Sequence, residues 1–292
     1  MLHFKLAWRQ LRKHRFFSLL NLLGLTVGMT AAMALFLYVQ KEYSFDRHHD
    51  YADQIVRVNL KVADGDLDEN WATAPNIAGP ALAEAMPEVK AFVRLLHHNF
   101  GRTASVAFGD KRLKEERLFW ADSTLLDVFD VSLVAGDRAT VLDRPATAMI
   151  NSSTAERIFG EQNPIGKELL IDNESSVEIT GVFADFPDHS SWQPNIIGSF
   201  SSVGWAYNRL YWSNASYETF LLLRPGFDLA DINSKIQGVL ENAIAPENRW
   251  FSLWAQPLTD IHLHSSGVLQ GYATRLGDAK QGRLMGILAL VV

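Results

Sequence analysis

The segment FFSLLNLLGLTVGMTAAMALFLYVQ, from Phe16 to Gln40, carries no charged side chain, and it constrains the chain more than any other feature. At 1.5 Å per helical residue it reaches across the ~30 Å of hydrocarbon in a bilayer. A secretory signal has an apolar run of only ~7–15 residues that ends at a small-residue cleavage site. Here the run closes instead on Leu35-Phe36-Leu37-Tyr38-Val39. The sequence therefore predicts a retained membrane-spanning helix over 16–40.

Charge orients that helix. Lys5, Arg9, Arg12, Lys13 and Arg15 precede it without an acid among them, which leaves 22 Lys and Arg against 33 acids in the rest of the chain. Lys and Arg concentrate on the cytoplasmic side of membrane helices, so the expected topology has the N-terminus inside and everything from about Lys41 outside the cytoplasm. An acidic body also argues against nucleic acid as a partner. With no cysteine, disulfides, thiolate metal sites and thiol catalysis are excluded.

Residues 1–15 place Phe4, Ala7, Trp8 and Leu11 on one arc and Lys5, Arg9, Arg12 and Lys13 on the other. This predicts a short cytoplasmic amphipathic helix whose partner is membrane lipid, with Lys5, Trp8, Arg9, Arg12, Lys13 and Arg15 at the anionic surface. Within the span, Gly24, Gly28 and Ala32 recur every four residues and form a stripe on which a second helix can pack closely. Glycine is also simply frequent in membrane helices, and the sequence fits both readings equally. The stretch LMGILALVV, residues 284–292, reads as the opening of a second membrane helix that continues past this sequence.

Between the membrane segments, residues 41–283 change to short alternating strands and helices. Gln54–Val62 and Val89–His97 read as strands around a helix at Pro75–Met86. The order returns in Tyr217–Arg224 as a strand, a helix capped by Asp228 and running to about Asn242, and a strand at Trp250–Gln256. The fold class expected is α+β, with two βαβ units at 51–97 and 217–283 sharing one ferredoxin-like sheet. The intervening 98–216 is too long for a bare loop and predicts a strand-rich inserted lobe. Its strand candidates are 104–108, 112–120, 147–150, 168–171 and 177–183, with short helices at 124–129 and 152–159.

Catalytic patterns are missing. A phosphate-binding loop has four residues between its glycines and Ser or Thr after the Lys. Gly160 and Gly166 enclose five, and Glu168 follows Lys167, so this reads as a turn. His97-His98 and His262-x-His264 have no accompanying HExxH motif, and are expected to be solvated or capping residues. Ser190-Ser191 beside Asp188 and His189 reads as a polar turn rather than a triad. No cofactor, metal or catalytic residue is expected.

Several blocks nevertheless carry a family likeness. The run from Ala7 to Val58, then FWADSTLLDVFDVSLVAGD, RPATAMINSSTAERIFGEQNPIGKELLI, ITGVFADFPDHSSW and QPLTDIHLHS, resembles MacB/FtsX-type ABC transporter permeases with a MacB-like periplasmic core domain. The likeness spans essentially the whole chain. It implies a porter-like βαβ pair with an inserted lobe, a bacterial inner-membrane location with the main domain periplasmic, and an FtsX-like helical region after residue 292. It also implies a separate ABC ATPase subunit that hydrolyses ATP, a homodimer or paired permease, and an export or efflux role to which a periplasmic adaptor and outer-membrane channel could contribute. Tyr43, Phe45 and Asp46, where the span meets the body, are the expected force-transfer elbow. The alternative from a different class is a single-span sensor with a periplasmic ligand-binding domain.

Overall fold

The computed structural model describes residues 9, 12–64, 67–269, 271 and 275–291. They divide into two compact units, Met1–Ser44 with Gly277–Val292, and Phe45–Leu276. Helix α1 spans Arg15–Glu42, two residues longer at its C-terminal end than the apolar run requires. None of its residues is buried, although Phe16, Leu19, Leu22, Leu25 and Val27 are large and apolar. Such a surface is costly in water and suits a lipid solvent. Its threonine hydroxyls are satisfied inside the helix, with Thr26 Oγ1 donating to the Leu22 carbonyl at 2.7 Å and Thr30 Oγ1 to the Thr26 carbonyl at 2.8 Å.

In the second unit, β1 (Ile55–Asp64) folds back through β2 (Leu67–Trp71) to α2 (Ala78–Ala85) and β3 (Val89–His97). The helix begins later than Pro75 because Asn76 is used sideways. Its buried amide donates to the Ala206 and Arg209 carbonyls and accepts from the Tyr211 amide. Pro80 then occupies the first turn, where its missing N–H is no loss.

The inserted segment contains β4 (Ala104–Phe108), β5 (Lys111–Glu115), β6 (Leu118–Ala121), α3 (Leu125–Val128), β7 (Leu133–Gly136) and β8 (Thr147–Asn151). It continues with α4 (Ser152–Phe159), β9 (Glu168–Ile171), β10 (Ser175–Phe183), β11 (Ile196–Ser199) and α5 (Gly204–Tyr207). The single strand expected over 112–120 is two strands. Glu115 Oε1 accepts the amides of Glu116 at 3.0 Å and Arg117 at 2.9 Å, which turns the chain between them. Asn151 caps α4 by accepting from the Thr154 amide at 3.0 Å.

The chain then returns as β12 (Glu218–Leu223), α6 (Leu229–Ala243), β13 (Phe251–Pro257), α7 (Leu258–His264) and β14 (Val268–Leu269). Asp228 caps α6 through the Asp231 amide. The two βαβ units share one antiparallel sheet in the order β13-β1-β12-β3, with Arg57 opposite Gln256, Val58 opposite Thr219 and Phe220 opposite Val93. This is the ferredoxin-like arrangement, reached across an insertion of more than a hundred residues.

Pairing does not stop at the insertion. β3 pairs with β6 through Leu95 and Ala121, and the ladder continues β6-β11-β8-β10-β9-β4-β5. The strand-rich segment is therefore hydrogen-bonded into the same fourteen-stranded sheet found among the described residues, rather than standing apart from it. One face of β1, β12 and β13 packs Val56, Val58, Leu60 and Leu221 against Leu82 of α2 and Ile232, Ile236 and Leu240 of α6. The other face buries Ile55, Phe220 and Leu222 with Phe119, Phe129, Phe183 and Trp192. The junction is further held by Arg94, whose guanidinium forks onto Asp122 at 2.7 and 2.9 Å, both side chains being buried.

The first unit also contains α8 (Ala279–Val291). It packs on α1, and Gly28, Ala32, Leu35, Val39 and Glu42 form the half-covered stripe of α1.

Candidate force-transfer site

Phe45 and Asp46 open the body. Phe45 is buried, and its ring lies parallel to that of His262 with centroids 3.4 Å apart. Asp46 follows at φ 59°, a left-handed conformation that Asp tolerates better than most residues. Its amide donates to the His189 carbonyl at 2.9 Å, and its Oδ1 accepts from the Ser191 amide at 2.8 Å. Two hydrogen bonds thus fasten the incoming chain to the loop 187–193.

That loop is closed on itself. Ser190 donates its amide to Pro187 and its hydroxyl to the Trp192 carbonyl, and Gln193 donates its side-chain amide to the Pro187 carbonyl. Trp192 roots it in the core against Phe119, Phe129 and Phe186. The outgoing chain meets the same loop: the Arg275 amide donates to the Ser191 carbonyl at 2.6 Å and its guanidinium to Gln193 Oε1 at 3.0 Å. His262 Nδ1 donates to the Arg275 carbonyl at 3.2 Å, so one imidazole both stacks on the entering Phe45 and holds the leaving backbone. Entry and exit of the body are therefore clasped to one internally hydrogen-bonded loop and one buried ring.

A further tie lies one turn on. His49 Nδ1 accepts from the Asp130 amide at 3.2 Å, and Asp130 Oδ2 accepts from the Asp50 amide at 2.5 Å. Burial pushes His49 down to about 3, with neighbouring His48 adding to the effect, and pushes His48 down to about 4, with His189 adding. Both imidazoles are neutral at pH 7. Burial pushes the Asp46 carboxyl up from its ordinary value, against the opposing pull of the Ser191 hydrogen bonds and His262.

Of the residues singled out from sequence, Phe45 and Asp46 lie in this clasp, whereas Tyr43 belongs to the other unit, exposed at the end of α1 and beside Gly282. Gly28 and Ala32 lie on the half-covered stripe of α1; Gly24 faces open space, with nothing near a Cβ placed on it. Arg9, Arg12, Lys13 and Arg15 are exposed, and Lys5 and Trp8 lie outside the described residues. His262, expected to be solvated or capping, is buried and bonded to the Arg275 carbonyl; His264 is a surface partner of Asp260 at 3.5 Å. His97 is buried too, and caps the turn after β3 by accepting from the Gly101 amide.

Sequence reasoning set aside His262 and Ser191 and did not single out Gln193 or Arg275, because the clasp joins segments as far as 145 residues apart, largely through backbone groups. The available signal was the placement of DHSSW and DIHLH within the blocks that carry the family likeness. Gly160 and Gly166, with φ 63° and 78°, form the turn between α4 and β9. A phosphate loop lies between a strand and a following helix, so this turn has the reverse order.

Comparison with known proteins bears on what the clasp belongs to. Residues 18–239 match the sequence profile of the MacB-like periplasmic core domain. The chain belongs to this family. It is 27% identical over 192 residues to the macrolide export ATP-binding/permease protein MacB of Burkholderia lata, a match covering 62% of this chain and 26% of that protein. The matched region thus spans about a quarter of that relative's length.

Three solved structures share the fold. A domain described as part of a permease from Porphyromonas gingivalis superposes with a TM-score of 0.63 at 20% identity, covering 82% of this chain and 98% of that one. The periplasmic region of MacB from Actinobacillus actinomycetemcomitans gives 0.50 at 12% identity over 72% and 92%. The extracellular domain of the ABC-type transporter YknZ from Gram-positive bacteria gives 0.51 at 13% identity over 69% and 99%. Family and relatives together indicate a MacB-like ABC transporter permease component. The apolar α1 and the periplasmic-domain family together make this a membrane protein with an extracytoplasmic body.

Proposed function

We propose that this chain is the permease part of a MacB/FtsX-type ABC transporter, in which a partner ATPase hydrolyses ATP in the cytoplasm and the body relays the resulting motion on the periplasmic side to drive export. The observation that carries this reading is the clasp: the chain enters at Phe45-Asp46 and leaves at Arg275 through the same loop, 187–193. A body held at one point near both ends moves as a unit when its ends are displaced, because packed cores shift between arrangements rather than deform gradually.

The N-terminus lies in the cytoplasm in this scheme, supported by the basic residues before α1 and the acidic body after it. The stripe through Gly28 and Ala32 is a helix seam, and two copies of the permease act together.

Because the chain contains no cysteine, single cysteines introduced at Arg12 and Lys114 report topology without background. A membrane-impermeant maleimide applied to spheroplasts should label Lys114→Cys and not Arg12→Cys. Copurification from the same cells should recover an ABC ATPase. Labelling at Arg12→Cys alone rejects the orientation, and a functional complex lacking any ATPase rejects the transporter reading.

A further inference from the structure

Just inside the body, Asp46, His48 and His49 each bring a ligand atom to within 4.8 Å of the others. The atoms gathered there lack the partners that burial normally demands. Asp46 is 2% exposed; its Oδ1 accepts from the Ser191 amide, while its Oδ2 has no hydrogen-bond partner, and neither has the neighbouring Ser191 hydroxyl. Both ring nitrogens of His48 are buried without a hydrogen-bond partner. A buried polar atom left unpaired costs ~1–3 kcal/mol, so Asp46 Oδ2 and one nitrogen of His48, unpaired in the same corner, favour an occupant.

The donor set identifies its class. Two imidazoles and one carboxylate are borderline ligands that suit a first-row divalent ion, above all zinc, and three protein ligands leave a position for water or a further group. An imidazole ligates through its lone-pair nitrogen: both nitrogens of His48 are without a partner, and His49 would exchange the 3.2 Å bond that its Nδ1 accepts from the Asp130 amide for the metal. The backbone supports the same reading: Asp46 is held at φ 59° by its amide bond to His189, which fixes where its carboxylate points.

We propose that Asp46, His48 and His49 form a binding site for a divalent transition-metal ion, with Zn(II) the preferred occupant. Binding there cross-links the first residues of the body to one another beside loop 187–193. The inference does not depend on the transport reading.

The test uses the full chain in nanodiscs, purified without a polyhistidine tag, treated with chelator and re-equilibrated with zinc or cobalt. The expected result is one zinc per chain by elemental analysis, visible d–d absorption from the cobalt form, and a rise in melting temperature on adding zinc. His48→Phe keeps an aromatic ring against His49 and Phe186 and removes both nitrogens, so it should fold and abolish all three signals. Asp46→Asn should weaken zinc binding at least tenfold. The proposal is overturned if the wild-type chain takes up no zinc at micromolar concentration, or if a folded His48→Phe chain binds zinc as the wild type does.

Discussion

Substituting Asp46 tests the clasp where its geometry is most specific. Asp46→Ala removes the acceptor for the buried Ser191 amide, which costs ~1–3 kcal/mol for the unpaired donor. It also places a residue without a hydrogen-bonding side chain at φ 59°, costing ~1 kcal/mol more. Together these reach ~2–4 kcal/mol, or about 30-fold to 700-fold in the local opening equilibrium at ~1.4 kcal/mol per tenfold. Asp46→Asn retains an acceptor oxygen and the tolerance for left-handed backbone, and removes a carboxylate that burial already disfavours. It should stay within about threefold of the wild type. Asp46→Gly relieves the backbone but not the lost acceptor, and should fall between them. Hydrogen exchange of the peptide containing Ser191, measured on the full chain in nanodiscs with chelator present, reads the opening directly. Equal exchange in the Ala and Asn variants, or no acceleration in the Ala variant, would refute the reasoning.

Four other outcomes are expected. Arg94→Ala strands buried Asp122 without its partner and should destabilise the body by ~3–5 kcal/mol in chemical denaturation, whereas an unchanged midpoint would show that the fork is dispensable. Asp172 is held below the usual carboxylate range: burial alone would raise it, but bonds from the Ser105 amide, His98 and Asn99 outweigh that. Its contribution to stability is therefore present above the unfolded value of 3.8 and lost as pH falls through the lower folded value, so Asp172→Asn should flatten the acid limb of a stability profile. Gly28→Leu should disturb the packing of α1 on α8 while Gly24→Leu does not, since only Gly28 lies on the covered stripe; thermal stability in micelles compares the two. The purified chain should show no ATP turnover, and Lys167→Ala should change neither that nor stability by more than ~0.5 kcal/mol; saturable turnover lost in this variant would contradict the account.

What was legible in the sequence follows from how local each feature is. The span 16–40, the Asp228 cap and the strand-helix-strand order at both ends of the body rest on periodicity and charge within one segment, and they appear in the structure nearly where expected. The continuous sheet was not legible, because β11 is only four buried residues, Ile196–Ser199, and carries no alternating pattern. It joins β6 and β8 by long-range pairing alone. The break at Glu116-Arg117 was hidden for a similar reason: a carboxylate turning back on the next two amides leaves no trace in hydropathy. In the candidate site, Phe45 and Asp46 were visible because they follow the membrane span. His262 looked like one of a surface pair, since nothing local reveals that α7 brings it beneath Phe45.

The central claim is that the clasp carries motion from the membrane helices to the body. The direct measurement places a nitroxide at Lys114→Cys, an exposed site, in the permease assembled with its ATPase in nanodiscs, and records distances between the labels of two copies by pulsed electron spectroscopy. Nucleotide trapping should shift the distance distribution in the wild type, and Asp46→Ala should abolish that shift while ATP turnover continues. A distribution that ignores nucleotide in the wild type, or one that shifts equally in Asp46→Ala, would contradict the account.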